Sequence, residues 1–199
     1  MSISLDAPLV GRPGHRRLPG DLAMWFFILA ELAVFGILIL AFVVTQALQA
    51  PLFHAGRQAL DASMGLALTL SLLTSGWCAA QALSRARQGR RGAAWLLCAA
   101  LAAASCYVAL KLREYGHLAS LGLGLEHDTF FTLYWILTGF HFLHVLLGML
   151  ILAWLAWRCR AGAYGPGRST GMESGVLYWH MVDLVWVLLF PVVYLLGRA

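Results

Sequence analysis

Five long apolar stretches constrain the fold of this chain more than any other feature of its sequence. They lie at about residues 22–44, 62–84, 93–112, 129–157 and 174–196. Each is long enough for a helix to cross the hydrocarbon core of a bilayer, which takes roughly 20 residues. Charged residues make up only 12% of the chain and hydrophobic residues 61%. The sequence therefore predicts an all-α, polytopic membrane protein that is a bundle of five transmembrane helices.

Basic residues are spread unevenly over the segments between these stretches. If the N-terminus is cytoplasmic, ten of the fourteen lie on the inner side: Arg12, Arg16, Arg17, Arg85, Arg87, Arg90, Arg91, Arg158, Arg160 and Arg168. The other four lie on the outer side: Arg57, Lys111, Arg113 and Arg198. The positive-inside rule predicts a cytoplasmic segment at 1–20, a transmembrane domain over 21–199 and a periplasmic C-terminus. Anionic lipid accounts for the net charge of +5, so no nucleic-acid partner is expected.

Five ionisable side chains lie inside the predicted helices, where such groups are costly and are functional candidates by default. They are Glu31, His141, His144, His180 and Asp183. At about 1.5 Å per residue, Glu31 and Asp183 each lie roughly 14 Å along their helices from the predicted cytoplasmic side. The histidines fall near this level on the fourth and fifth helices. The spacing predicts a polar band, between the inner half and the middle of the membrane, assembled from at least three helices.

Three uses of this band are open from the residues alone. The side chains could join helices through hydrogen bonds, or they could handle protons, since desolvation favours the neutral form of Glu31. They could also hold a cofactor, but no Glu-x-x-His pair of the di-iron kind lies within the predicted spans. A haem would need two imidazoles that face each other. Of the intramembrane histidines, only His144 and His180 have positions that are compatible with such a pair.

Three strings carry a resemblance to a known family. They are GDLAMWFFILAELAVFG at 20–36, FFTLYWILTGFHFLHVLLGM at 130–149 and ESGVLYWHMVDLVWVLLFPVVYL at 173–195. Together they resemble subunit III of haem-copper oxidases, with TGFHFLH and YWHMVDLVW as the most specific elements. The resemblance covers nearly the whole chain beyond residue 18. The two leading helices of the seven-helix members have no counterpart, so the chain is similar to the five-helix branch.

The resemblance implies roles for the intramembrane residues. Subunit III carries no haem or metal, so no cofactor is expected. Glu31 matches the glutamate of the family that reacts with carbodiimides, which implies a proton-linked site. The remaining matched residues are implied to be structural polar or aromatic groups that support the bundle and its interface: His141, His144, His180, Asp183, Trp186 and Glu173.

The predicted function is an accessory, non-catalytic subunit in the bacterial inner membrane. Its expected partners are membrane lipids and the haem-bearing catalytic subunit of a respiratory oxidase or nitric oxide reductase, whose stability or proton uptake it supports. The opening PGDLAMWFFILAE and the first-loop string FHAGRQALD resemble the NorE-type protein that accompanies nitric oxide reductase. A free-standing proton-conducting or transport protein is the alternative, although neither an inverted repeat nor a broken helix is visible in the sequence.

Overall fold

The structure, a computed structural model, describes residues 22–196, which form six α-helices and one π-helical turn. In chain order these are α1 (Leu22–Leu48), α2 (Ala50–Gln58), α3 (Ala62–Arg87), α4 (Ala93–Ser120), α5 (Thr129–Arg160), α6 (Thr170–Phe190) and the π-helical turn Pro191–Leu195. All of these helices except α2 are long and apolar enough to cross a membrane, α6 together with the turn. The predicted all-α fold with five spans is confirmed. The proposed segment 1–20 and Arg198 lie outside the described residues.

The helices extend beyond the apolar stretches that predicted them. The helix α4 runs to Ser120 rather than ending near residue 112, and α1, α3 and α5 each continue for about one turn. The helix α6 begins at Thr170, earlier than predicted, and α2 occupies most of the predicted first loop. A helix need not end where its apolar stretch ends, because polar residues are tolerated in the part of the helix that lies outside the hydrocarbon core. Lys111, predicted to lie on the outer side, lies inside α4.

Aspartate side chains begin two of the membrane helices. The Asp61 carboxylate accepts a hydrogen bond from the backbone N–H of Ser63 at 2.8 Å, at the start of α3. Asp128 does the same for Phe131 at 2.9 Å, at the start of α5. Each carboxylate satisfies one of the amide groups that a helix N-terminus leaves unpaired.

Four helices, α3 to α6, form the core of the bundle, and α1 lies at its edge. The most extensive interface joins α3 to α4, and α1 contacts mainly α6 and α5. The buried residues of α1 recur every seven positions, at Ile28, Phe35 and Phe42, so a single narrow stripe attaches it. Most exposed side chains of α1 are apolar, as on a surface in contact with lipid or another protein.

Small residues allow α3 and α4 to approach closely. Ala79 is fully buried, and the hydroxyl of Ser75 donates a 2.8 Å hydrogen bond to the backbone carbonyl of Ala100 on α4. Ala79 and Ser75 thus form a packing surface on α3, whereas Ser63, in the first turn of the helix, is exposed. Close packing and hydrogen bonds of this kind hold membrane helices together.

The two ends of the bundle differ in charge. One end, called the arginine-rich end here, carries the α3–α4 and α5–α6 loops with Arg85, Arg87, Arg90, Arg91, Arg158, Arg160 and Arg168. The opposite end, called the α2 end, has Arg113 as its only exposed arginine or lysine among the described residues, because Arg57 and Lys111 are buried. The burial of these two residues strengthens the charge asymmetry behind the prediction that the arginine-rich end is cytoplasmic.

Candidate functional site

Glu31 and His144 form a pair between α1 and α5. The Oε2 atom of Glu31 lies 3.1 Å from Nε2 of His144, and the two side chains are 20% and 11% exposed. The other ring nitrogen of His144, Nδ1, lies 2.8 Å from the backbone carbonyl of Phe140, one turn earlier in the same helix. The rings of Phe35 and Phe140 enclose the imidazole.

The contacts of the His144 ring determine how this pair holds protons. A carbonyl oxygen only accepts, so Nδ1 carries a hydrogen and donates it to Phe140. The remaining nitrogen, Nε2, then either accepts from a protonated Glu31 or donates to an ionised one. Both states are neutral overall. A proton can therefore move between Glu31 and His144 without placing a net charge in the membrane.

His180 and Asp183 form a second pair within α6. The Nδ1 atom of His180 lies 3.6 Å from Oδ2 of Asp183, and the side chains are 43% and 8% exposed. Gly76 of α3 makes room for the carboxylate, since a Cβ atom there would overlap Oδ2 of Asp183. A glycine at this position lets α3 lie directly against the acidic side chain.

His141 lies apart from both pairs. It is fully buried, and neither ring nitrogen has a hydrogen-bond partner among the described residues. Its ring lies 5.2 Å from that of Trp186, centroid to centroid, and 6.2 Å from that of Tyr107. The indole N–H of Trp186 donates to the Thr69 hydroxyl at 3.0 Å and so links α6 to α3.

Glu173 lies in the first turn of α6, at the arginine-rich end rather than at the depth of the other residues. Its Oε1 atom is 3.1 Å from Nε of Arg87 at the end of α3, and the Ser169 hydroxyl also contacts it. Glu173 therefore connects the ends of two helices near the membrane surface.

The predicted polar band is thus three separate arrangements, on α1, α5 and α6. The structure brings Glu31 together with His144, and His180 together with Asp183, whereas His141 lies among aromatic rings. Within residues 22–196, no three histidine, cysteine, aspartate or glutamate side chains converge in a way that could hold a metal ion.

The prediction missed a charged cluster inside the bundle, called the lysine cluster here. Lys111 of α4 is fully buried, and its ammonium group donates to Glu114 at 2.7 Å and to the hydroxyls of Tyr134 and Tyr194 at 3.1 Å each. The Tyr194 hydroxyl in turn donates to the other carboxylate oxygen of Glu114 at 2.7 Å. Every hydrogen of the ammonium has an oxygen partner, so the charge is compensated inside the protein.

Aromatic rings surround the same ammonium group. The Nζ atom of Lys111 lies 4.9 Å from the ring centroid of Tyr115, 5.0 Å from that of Tyr134 and 5.3 Å from that of Trp186. These distances are in the range of cation–π attraction. The lysine cluster thereby joins α4, α5 and the end of α6.

A helical period could have revealed this cluster in the sequence. The buried positions of α4 include Ala100, Ala104 and Tyr107, and the same face continues through Lys111 and Glu114. The spacing of three and four residues is that of one helix face. The predicted span ended at residue 112 and assigned Lys111 to the outer side, and this concealed the continuation of the buried face to Glu114.

Arg57 of α2 is a second buried cation that the sequence placed in a loop. It is 2% exposed, and it donates to the backbone carbonyls of Val193 at 3.0 Å and Val192 at 2.9 Å. A third bond, to the side-chain oxygen of Gln46, measures 2.7 Å. Burial lowers the pKa of the Arg57 guanidinium from its ordinary value. The residue fastens α2 and α1 to the π-helical turn, where Pro191 interrupts the regular pattern of α6.

Comparison with known proteins gives a consistent result. Residues 19–198 match the model of the family described as cytochrome c oxidase subunit III. The chain is 40% identical over 80 residues to cytochrome c oxidase subunit 3 of Thermostichus vulcanus, and 33% identical over 132 residues to cytochrome bo(3) ubiquinol oxidase subunit 3 of Pseudomonas putida.

These alignments differ in extent. The matched regions are 40% and 62% of the lengths of the Thermostichus and Pseudomonas proteins, so the chain spans less than two thirds of each. A probable quinol oxidase subunit 3 of Staphylococcus epidermidis is 28% identical over 202 residues, which covers 99% of this chain and 98% of that protein. The similarity to the staphylococcal protein therefore extends over the full length of both chains.

Proposed function

Because the chain belongs to the cytochrome c oxidase subunit III family, we propose that it is an accessory, non-catalytic subunit of a haem-copper respiratory complex. It lies in the bacterial inner membrane beside the haem-bearing catalytic subunit, which carries the redox chemistry. The observation that carries this proposal is the family match over residues 19–198. The nearly full-length alignment with a probable quinol oxidase subunit 3 favours a terminal oxidase as the complex.

The surroundings of the intramembrane histidines favour a structural role over a redox role. His144 and His180 each lie beside a carboxylate, and His141 is enclosed by aromatic rings. The contacts of His144 and His141 join α5 to other helices, and the His180–Asp183 pair lies within α6. In this proposal His141, His144, His180, Asp183 and Trp186 hold the bundle in the shape that the catalytic subunit recognises, and Glu173 fixes its arginine-rich end.

Glu31 supplies the proton-linked part of the proposal. Its carboxyl group lies 3.1 Å from Nε2 of His144 and is 20% exposed at the edge of the bundle. A group that is partly accessible and that exchanges one proton can support proton uptake by a neighbouring subunit. The lysine cluster, by contrast, is sealed and serves packing.

Deletion of the gene tests this function. We expect membranes of the deletion strain to lose oxidase activity with quinol or reduced cytochrome c, or to contain less of the haem-bearing subunit. A plasmid copy should restore both, and an affinity-tagged copy should retain the haem-bearing subunit during purification. Unchanged activity and unchanged haem content would contradict the proposal.

Nitric oxide reductase is the second candidate partner, and two strings favour it. PGDLAMWFFILAE and FHAGRQALD, of which the second begins in α2, resemble the NorE-type protein. The same deletion strain distinguishes the candidates when it is grown under denitrifying conditions. Loss of nitric oxide reduction with intact oxygen reduction would assign the chain to the reductase, and the opposite result would assign it to an oxidase.

The alternative of a free-standing proton conductor has a direct test. The purified chain, reconstituted alone into vesicles, should conduct no protons if it is an accessory subunit. Proton flux that Glu31→Gln abolishes would favour transport instead.

A further inference from the structure

His180 is exposed at a depth where an ionisable side chain should not face lipid. It lies roughly 15 Å along α6 from Thr170, near the middle of a helix that spans the bilayer. Its side chain is nevertheless 43% exposed. Ionisable groups at this depth almost always face a protein interior or a polar cavity. The surface around His180 is therefore unsuited to hydrocarbon.

The pairing with Asp183 determines which group His180 offers to this surface. The Nδ1 atom of His180 lies 3.6 Å from Oδ2 of Asp183, so the other ring nitrogen, Nε2, is the atom left for a further partner. A histidine ring nitrogen donates or accepts a hydrogen bond according to its protonation. His180 thus presents to this surface a polar atom that needs a hydrogen-bonding partner.

A groove beside His180 can receive side chains of a neighbouring helix. It lies between α3 and α6, has a volume of about 360 Å³, and extends from His180 to the Arg87–Glu173 pair. Ala80 and Ser84 line its α3 side, and Val176 lines its α6 side. Small residues one turn apart allow another helix to approach closely.

We propose that this α3–α6 face is the docking surface for a transmembrane helix of the haem-bearing subunit, whose polar side chain forms a hydrogen bond with Nε2 of His180. The inference rests on the proposed function and adds to it the surface of contact and the chemistry of the partner. Large exposed residues of α1 and α5 suit lipid instead: Leu143 and Leu150 of α5, and Leu29 and Ile37 of α1, are all apolar. The side chain of His180 is also more exposed than that of Glu31, 43% against 20%, and this difference favours the α3–α6 face.

Site-specific photocrosslinking in native membranes tests the surface. A photoreactive amino acid replaces Leu177, which lines the groove, or Leu150, which is 69% exposed on α5 and serves as the matched control. We expect an adduct with the haem-bearing subunit from position 177 and lipid adducts alone from position 150. The inference is overturned if position 177 captures only lipid or a second copy of this chain.

Two outcomes separate this inference from the function on which it rests. If the haem-bearing subunit co-purifies but crosslinks from position 150 rather than 177, the partner is right and the surface is wrong. If the haem-bearing subunit does not co-purify at all, the proposed function itself fails.

Substitution of His180 tests the hydrogen bond. We expect His180→Leu to weaken retention of the haem-bearing subunit by about 3- to 20-fold, as loss of one interhelical hydrogen bond in a membrane would. His180→Gln keeps an N–H donor and should restore most of the retention. The free energy of unfolding of each isolated variant in detergent is measured alongside, so that loss of the His180–Asp183 contact is separated from loss of the bond to the partner. Equal retention by the leucine variant and the wild type would contradict the proposed bond.

Discussion

The ion pairs at the two ends of the bundle differ in how far they are exposed. At the α2 end the Lys111–Glu114 pair is 0% and 7% exposed, and every hydrogen of the ammonium has a partner. At the arginine-rich end the Arg87–Glu173 pair is 48% and 17% exposed. A buried pair loses much when one member is removed, whereas an exposed pair exchanges its partner for water. The α2 end is therefore the rigid part of the bundle. The charged groups at the arginine-rich end are available to a partner.

The mid-depth pairs lie between these extremes. Glu31 with His144 is 20% and 11% exposed, and His180 reaches 43%. Partial exposure is what a group needs if it is to exchange a proton or bind a neighbouring helix. The comparison thus predicts that stability depends most on the α2 end, and that chemistry and partner binding depend on the mid-depth pairs.

The largest loss of stability should follow Lys111→Met. The substitution keeps the volume of the side chain but leaves the Glu114 carboxylate buried without its cation, which costs about 3–5 kcal/mol. Titration with SDS in mixed micelles, followed by far-ultraviolet circular dichroism, measures the free energy of unfolding. Arg113→Met, at an exposed position of the same helix, is the matched control and should change it little.

A double variant sharpens the interpretation of the lysine cluster. Glu114→Gln combined with Lys111→Met removes both charges, so it should recover a large part of the stability that the single variant loses. If Lys111→Met alone is no less stable than the wild type, the α2 end is not held by this pair.

The next largest effect should come from Arg57→Met. It removes the donors to the Val192 and Val193 carbonyls at the π-helical turn, and each unsatisfied buried group costs about 1–3 kcal/mol. The same titration gives the loss of stability. Arg57→Lys keeps the charge but cannot reproduce the spread of a guanidinium, so it should be intermediate. A lysine variant as stable as the wild type would show that charge alone suffices.

The sequence was sufficient to predict the fold because each membrane span requires a stretch of about 20 apolar residues, which is easily recognised. Apolar stretches of the required length predicted five helices, which the structure contains. The ends of the helices were less predictable. The helix α4 continues to Ser120, beyond the end of the predicted apolar stretch at 93–112, and it buries Lys111 and Glu114 on the same face as Tyr107.

The sites show which information a single sequence lacks. Depth along each helix placed Glu31, His144, His180 and Asp183 at similar levels, and this agrees with the two pairs that form. Depth does not specify which faces of different helices meet. His141 lies on the same helix as His144, only one turn away, yet it faces Trp186 and Tyr107 in the interior. Partners of that kind come from packing between helices.

A smaller effect on stability, with a clear chemical signature, is expected from Glu31→Gln. The amide can still donate to Nε2 of His144, so the free energy of unfolding should change by less than about 1 kcal/mol. Labelling by a hydrophobic carbodiimide, followed by mass spectrometry, should however disappear from this position. Labelling that persists in the α1 peptide of the glutamine variant would show that another residue reacts.

The shared proton has its own test in His144→Leu. Without the imidazole the Glu31 carboxyl loses its hydrogen-bonding partner in apolar surroundings, which favours the protonated form that carbodiimides attack. We expect labelling to become several-fold faster than in the wild type. Thr74→Val is the control, since it removes a hydroxyl that donates to the Leu70 carbonyl of α3, a helix that does not carry the pair. Labelling that is unchanged in His144→Leu would exclude a proton shared with His144.

The smallest effect should follow Arg87→Gln at the arginine-rich end. Exposed ion pairs contribute about 0–1 kcal/mol, and Arg87 is 48% exposed. Glu173 also keeps its contact with the Ser169 hydroxyl, and water replaces the guanidinium. We therefore expect a free energy of unfolding close to that of the wild type, and a difference that shrinks further in high salt because exposed charges are screened. A loss as large as that of Lys111→Met would break the comparison, since it would place the stabilising charges at both ends of the bundle.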